Sequence, residues 1–62
     1  MQVKHILVSV ENREFFFGIY NNKYGWYQNI NYAIKKREPG DFNQFYKELK
    51  GEYFIIQKIH HT

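Results

Sequence analysis

Six Phe, six Tyr and one Trp crowd a chain of only 62 residues. Each ring removes about 150–250 Å² from water when fully enclosed, yet a chain of this size buries only about 60% of the surface that its unfolded form exposes. The rings exceed what one small core can hold, and some of them are expected on the surface or in an interface. Cysteine is absent. A disulfide framework and a cysteine-based zinc site are thereby excluded, which fits a reducing cytoplasm. Oligomerisation is then the expected further source of stability.

With a methionine first, the sequence is expected to be one complete short product, a single binding domain over residues 1–62, and it shows no repeat, linker or low-complexity stretch. The net charge of +3 is compatible with an anionic partner but falls short of the basic stripe of dedicated nucleic-acid binders. Residues 1–10 lack the charged, apolar and small-residue regions of a secretory leader. No window approaches the ~18 consecutive apolar residues of a membrane-spanning helix. A soluble, cytoplasmic protein is expected. Asn, Lys, Ile, Tyr and Phe are abundant, whereas Ala33 and Pro39 are single occurrences. That usage matches an AT-rich genome, and a phage or mobile-element accessory protein in a host cytoplasm fits it.

Residues 3–10 alternate in the manner of a half-buried strand, with Ile6, Val8 and Val10 on one side and Val3, His5 and Leu7 on the other. The polar break Glu11, Asn12, Arg13 has hairpin length, and the aromatic, β-rich residues 14–20 follow as a second strand. Phe15, Phe17 and Ile19 share one face of it, and Phe16 and Tyr20 the other. Residues 21–25 contain Asn and Gly that tolerate positive φ, so the chain should turn there into a short third strand at 26–28.

From Gln28 onward the pattern supports two periods. Trp26, Ile30 and Ile34 lie four apart, while Trp26, Gln28, Ile30, Tyr32 and Ile34 also alternate. A helix over 30–37 is favoured, with Asn29 as N-cap and Lys35, Lys36 and Arg37 complementing the negative end of its dipole. Pro39 and Gly40 end it. A second helix is expected over 42–50, with Asp41 as N-cap, Gln44 three residues on as in a capping box, an apolar stripe of Phe42, Phe45, Tyr46 and Leu49, and Gly51 at C′. Residues 53–60 close the chain as a strand that is apolar on both faces, which suits a central position or a second face covered by something else. The fold class is α+β, a small antiparallel sheet of three to four strands in the order β-β-β-α-α-β with two short helices on one face.

If Ile6, Val8, Phe15, Phe17, Ile19, Phe54 and Ile56 face the helices, then Leu7, Phe16, Tyr20, Tyr53 and Ile55 form a second apolar face with nothing left to cover it. Contiguous apolar patches of more than a few hundred Å² mark interaction sites, and aromatic residues are enriched in interface cores. The competing expectation is a strongly coiled sheet whose helices and loops absorb these rings. Lys35, Lys36 and Arg37, with Lys47 and Lys50, could contact phosphate, although cations at helix C-termini are also what dipole complementarity produces. His5, His60 and His61 do not form a metal site, because adjacent strand residues point to opposite faces and no carboxylate stands at ligand spacing. Glu11, Glu14, Asp41, Glu48 and Glu52 form no recognisable acid–base pair, and no phosphate loop or nucleophile motif is present.

These features point to a non-enzymatic protein-binding module without a cofactor. Its partner would be another protein or a second copy of itself, and inhibition of a host protein by steric blocking is the natural mode. The alternative is a nucleic-acid module that stacks DNA or RNA bases on Phe16, Tyr20, Tyr27 and Tyr53, with Lys35, Lys36 and Arg37 on the backbone.

Overall fold

The computed structural model describes residues 2–61, with side chains over 3–59. Four strands form one antiparallel sheet: β1 (Gln2–Ser9), β2 (Phe16–Tyr20), β3 (Lys23–Tyr27) and β4 (Phe54–His61), in the spatial order β3-β2-β1-β4. The expected α+β class and small antiparallel sheet are therefore present. Strand β4, however, lies at an edge and not in the centre, with β1 as its neighbour over its full length.

The β2–β3 connection is tighter than the expected five-residue turn. Asn21 (φ 54°) and Asn22 (φ 64°) both adopt the left-handed conformation that a two-residue primed turn needs, so β3 begins at Lys23. The β1–β2 connection sets Val8 opposite Phe16. This register puts Leu7 on the same face as Phe17, whereas the sequence reading had placed Ile6 and Val8 there. A slip of one residue in pairing exchanges the two faces of a strand. Leu7 is accordingly fully enclosed, in a core with Phe17, Phe42, Phe45 and Leu49 on the helical side of the sheet. Ile6 and Val8 point to the other side and pack with Ala33, Phe16 and Ile59.

The helix expected over 30–37 is absent. Ile30–Tyr32 makes one 3-10 turn, which Asn29 caps by accepting from the Asn31 N–H at 2.9 Å; the chain then extends. Ala33 pairs with Gly18 of β2 and Lys36 with His5 of β1. The His5 N–H donates to the Lys36 carbonyl at 2.7 Å, the Lys36 N–H returns the bond at 3.0 Å, and the Ile34 N–H donates to the Phe17 carbonyl at 3.1 Å. Strands β1 and β2 meet near their turn, and farther on residues 33–36 lie between them as a wedge. Gly18 permits this approach, since a Cβ there would overlap the Tyr32 carbonyl and lie 2.6 Å from its carbon. Ala33, with the smallest side chain that is not glycine, occupies the facing position.

The second helical segment runs from Pro39, not Phe42. Pro39–Phe45 is 3-10 and Tyr46–Leu49 is a single α turn, α1. Its first residue follows Glu38, which makes no side-chain cap bond, so Asp41 is not the N-cap and the expected capping box does not form. Proline at the first helical position needs no donor and presets φ. At the other end the Glu52 N–H donates to the Leu49 carbonyl at 3.0 Å across Lys50 and Gly51, and Gly51 takes φ 84° as expected of a residue just beyond a helix. No helix among the described residues is long and apolar enough to cross a membrane.

Candidate protein-docking surface

The aromatic core is built around Phe17. Its ring meets Phe45 edge-on at 5.5 Å and Trp26 at 5.6 Å, and stacks on Tyr24 at 6.0 Å. Such offset and edge contacts add about 0.5–1.5 kcal/mol each beyond burial. The helical segment positions its side chains through its mixed winding. Three residues per turn up to Phe45 align Phe42 with Phe45, and the following α turn brings Leu49 beneath them. All three are buried, and Tyr46 is left 64% exposed.

Of the five residues expected on one uncovered face, the structure leaves two together. Ile55 stands opposite Val8, on the face away from the helical segment. Tyr53 precedes β4 with its carbonyl accepting from the Val10 N–H at 3.1 Å, so it continues the same alternation and shares that face. It is the most exposed of the large apolar side chains, at 76%. Phe16 is half-buried against Ile6, Val8 and Ala33. Leu7 is inside the core and unavailable to a partner. Tyr20 belongs to a different patch, with its ring 4.6 Å from Tyr32 and 5.9 Å from Tyr27. The sheet and the 29–34 segment thus absorb part of the ring surplus.

Two exposed side chains that the sequence reading assigns to the helical stripe and to the helix-facing side of the sheet, Tyr46 and Ile56, join Tyr53 and Ile55. Ile56, 47% exposed, faces the helical side opposite Leu7. With Pro39, Phe42, Tyr46, Leu49 and Phe54 it lines an open groove of about 270 Å³ between the helical segment and β4. The double-sided apolar pattern of residues 53–60 was the available signal for Ile56. It was assigned to a central strand, whereas here one flank of that strand is open. Tyr46 carried no separate signal, because a regular α-helix would have turned it inward with Phe42.

Two cations of the basic run face protein groups. Lys35 Nζ reaches back to the Ile30 and Ala33 carbonyls at 3.3 and 3.4 Å, while Lys36 Nζ lies 5.6 Å from the centre of the Phe45 ring on the core side. Arg37 is exposed, and its carbonyl lies 3.0 Å from His5 Nδ1. A carbonyl only accepts, so Nδ1 carries the proton of this bond and the buried imidazole is held by a structural contact. The side chains of His60 and His61 lie outside the described ones. Among the described residues no three His, Cys, Asp or Glu side chains gather closely enough to hold a metal ion. Glu11, Glu14, Asp41, Glu48 and Glu52 are all exposed.

What the arrangement offers chemically is an open strand edge with apolar side chains on both of its faces, flanked by a shallow apolar groove. No protein-family model, curated protein or solved structure matches the chain.

Proposed function

We propose that this chain is a small non-enzymatic protein-binding domain that docks its partner along the β4 margin. The observation that carries this reading is the concentration of exposed apolar side chains there: Tyr46, Tyr53, Ile55 and Ile56 surround one strand edge and one groove. Grouped apolar side chains of this kind mark interaction surfaces, whereas single exposed ones are ordinary. A rigid strand presents Tyr and Ile at low entropic cost, and water is readily displaced from an open groove. The margin replaces the five-residue face expected from the sequence and keeps Tyr53 and Ile55 from it. Steric blocking of a larger protein is the mode such a surface serves. A phage or mobile-element product acting in a host cytoplasm remains the setting that the residue usage and the lack of cysteine favour.

A nucleic-acid reading draws on the cluster of Tyr20, Tyr27 and Tyr32. It is less favoured because these rings pack on one another, and because Lys35 and Lys36 are turned to protein groups instead of a shared phosphate track.

A photoreactive phenylalanine analogue at position 53 or 46, with a control at Arg13, tests the proposal in cells of the natural host. Protein adducts from 53 and 46 but not from 13 are expected. Adducts to nucleic acid, or none at all, would overturn it. Titration of Trp26 fluorescence with random oligonucleotides supplies the complement. A phosphate-driven complex would weaken by orders of magnitude between about 50 and 200 mM salt, and no binding is expected at either.

A further inference from the structure

We infer that the β4 edge pairs with the β4 edge of a second copy of this chain, antiparallel about a twofold axis at Ile55, to give one continuous eight-stranded sheet. The inference rests on the docking margin proposed above and names its occupant.

The backbone phase comes first. In an antiparallel ladder alternate residues direct both backbone groups to the same neighbour. The Tyr53 carbonyl accepts from the Val10 N–H, so Tyr53, Ile55, Gln57 and Ile59 turn their backbone groups toward β1. Phe54, Ile56 and Lys58 turn theirs outward. The opposite flank of β1 agrees, because Ser9 and His5 bond away from β4, to Phe15 and Lys36. The β4 edge therefore presents a regular row of donors and acceptors along a strand of eight residues, against five for β3 at the other edge.

Edges of this kind are normally guarded by proline, bulges or closely spaced charge. From Phe54 to Ile59 the only charged residue is Lys58, and proline and glycine are absent. Ile55 and Ile56 are exposed on opposite faces.

Phase and charge together select one register. Outward groups sit on even-numbered residues, so an antiparallel partner must set even residues against even ones. With Ile55 opposite the partner's Ile55, Phe54 meets the partner's Ile56 and Ile56 meets the partner's Phe54, both on the groove side. Tyr53 meets the partner's Gln57. Glu52, one residue before the ladder, comes opposite the partner's Lys58, and the symmetric pair repeats the contact. Moving the axis to Ile56 sets Phe54 against Lys58, and moving it to Phe54 sets Ile56 against Glu52 and Lys50 against Lys58. Of these three, only the axis at Ile55 sets Phe54 against Ile56 and acid against base. It also lays the partner's Phe54 beside the groove formed by Phe42, Tyr46, Leu49 and Ile56.

Sedimentation equilibrium of the purified chain tests this. A species of twice the chain mass is expected. Lys58→Glu and Glu52→Lys, each made alone, set like charges opposite one another at two symmetric positions and should weaken self-association by about tenfold or more. The two combined should restore it. A wild-type chain that stays monomeric overturns the inference, and a dimer that ignores the single swaps or is not rescued by the double swap overturns the register. Protein adducts of another mass from position 53, obtained with a monomeric chain, would uphold the protein-binding reading while removing the second copy.

Discussion

Leu7 and Tyr53 show what a single residue's position decides. Both are apolar residues on strands that alternate, yet Leu7 is enclosed by Phe17, Phe42, Phe45 and Leu49 and Tyr53 is mostly in water. Removing Leu7 leaves a cavity in a core with few other members. Leu7→Ala is expected to cost about 2–5 kcal/mol, enough to unfold most of a population whose total stability is small at this size. Tyr53→Ala should change stability by no more than about 0.5 kcal/mol. Urea titration followed by Trp26 fluorescence measures both, and a Leu7 variant as stable as the Tyr53 variant would contradict the assignment of faces. The alternation of β1 was legible in the sequence, but which face met the helices was not. That choice is made by the Val8–Phe16 register, and the polar residues between the strands are consistent with either setting.

At the scale of elements, strands announced themselves through β-rich alternation, and the helical segment through Pro39, its apolar stripe and Gly51. Residues 30–37 did not, because their apolar spacing fits a period of four as well as a period of two. What resolves it is tertiary. The gap between β1 and β2 offers unpaired backbone groups on His5 and Phe17, and an extended chain satisfies them where a helix could not. Gly18 makes room for the crossing. Gly18→Ala should therefore be more disruptive than a typical strand glycine substitution, costing about 1–3 kcal/mol or more as the Tyr32–Ala33 backbone is pushed away. In nuclear Overhauser spectra the His5–Lys36 cross-strand contact should weaken in the same variant. Loss of neither stability nor that contact would argue that the wedge does not depend on Gly18. The second helical segment also starts earlier than its sequence suggests, since Asp41 resembles an N-cap while Pro39 already occupies the first helical position.

For the whole molecule, the count of rings against chain length implied that part of the apolar inventory stays outside, as Tyr53, Ile55 and Ile56 do on β4 and the turn beside it. The location was partly legible. Tyr53 and Ile55 stand where the alternation puts them, whereas the β1–β2 register turns Leu7 into the core and Tyr20 packs against Tyr27 and Tyr32. A strand apolar on both faces was placed in the middle of the sheet. At an edge the same pattern leaves main-chain groups and side chains unsatisfied together, and that coincidence underlies the docking reading. Amide hydrogen exchange along β4, followed as protein concentration rises, tests this most directly. The account predicts that the Phe54, Ile56 and Lys58 amides are open at low concentration and become as slow as those of Ile55 and Gln57 once the chain associates. If those three amides keep exchanging freely in the associated protein, the β4 edge is not where this molecule meets its partner.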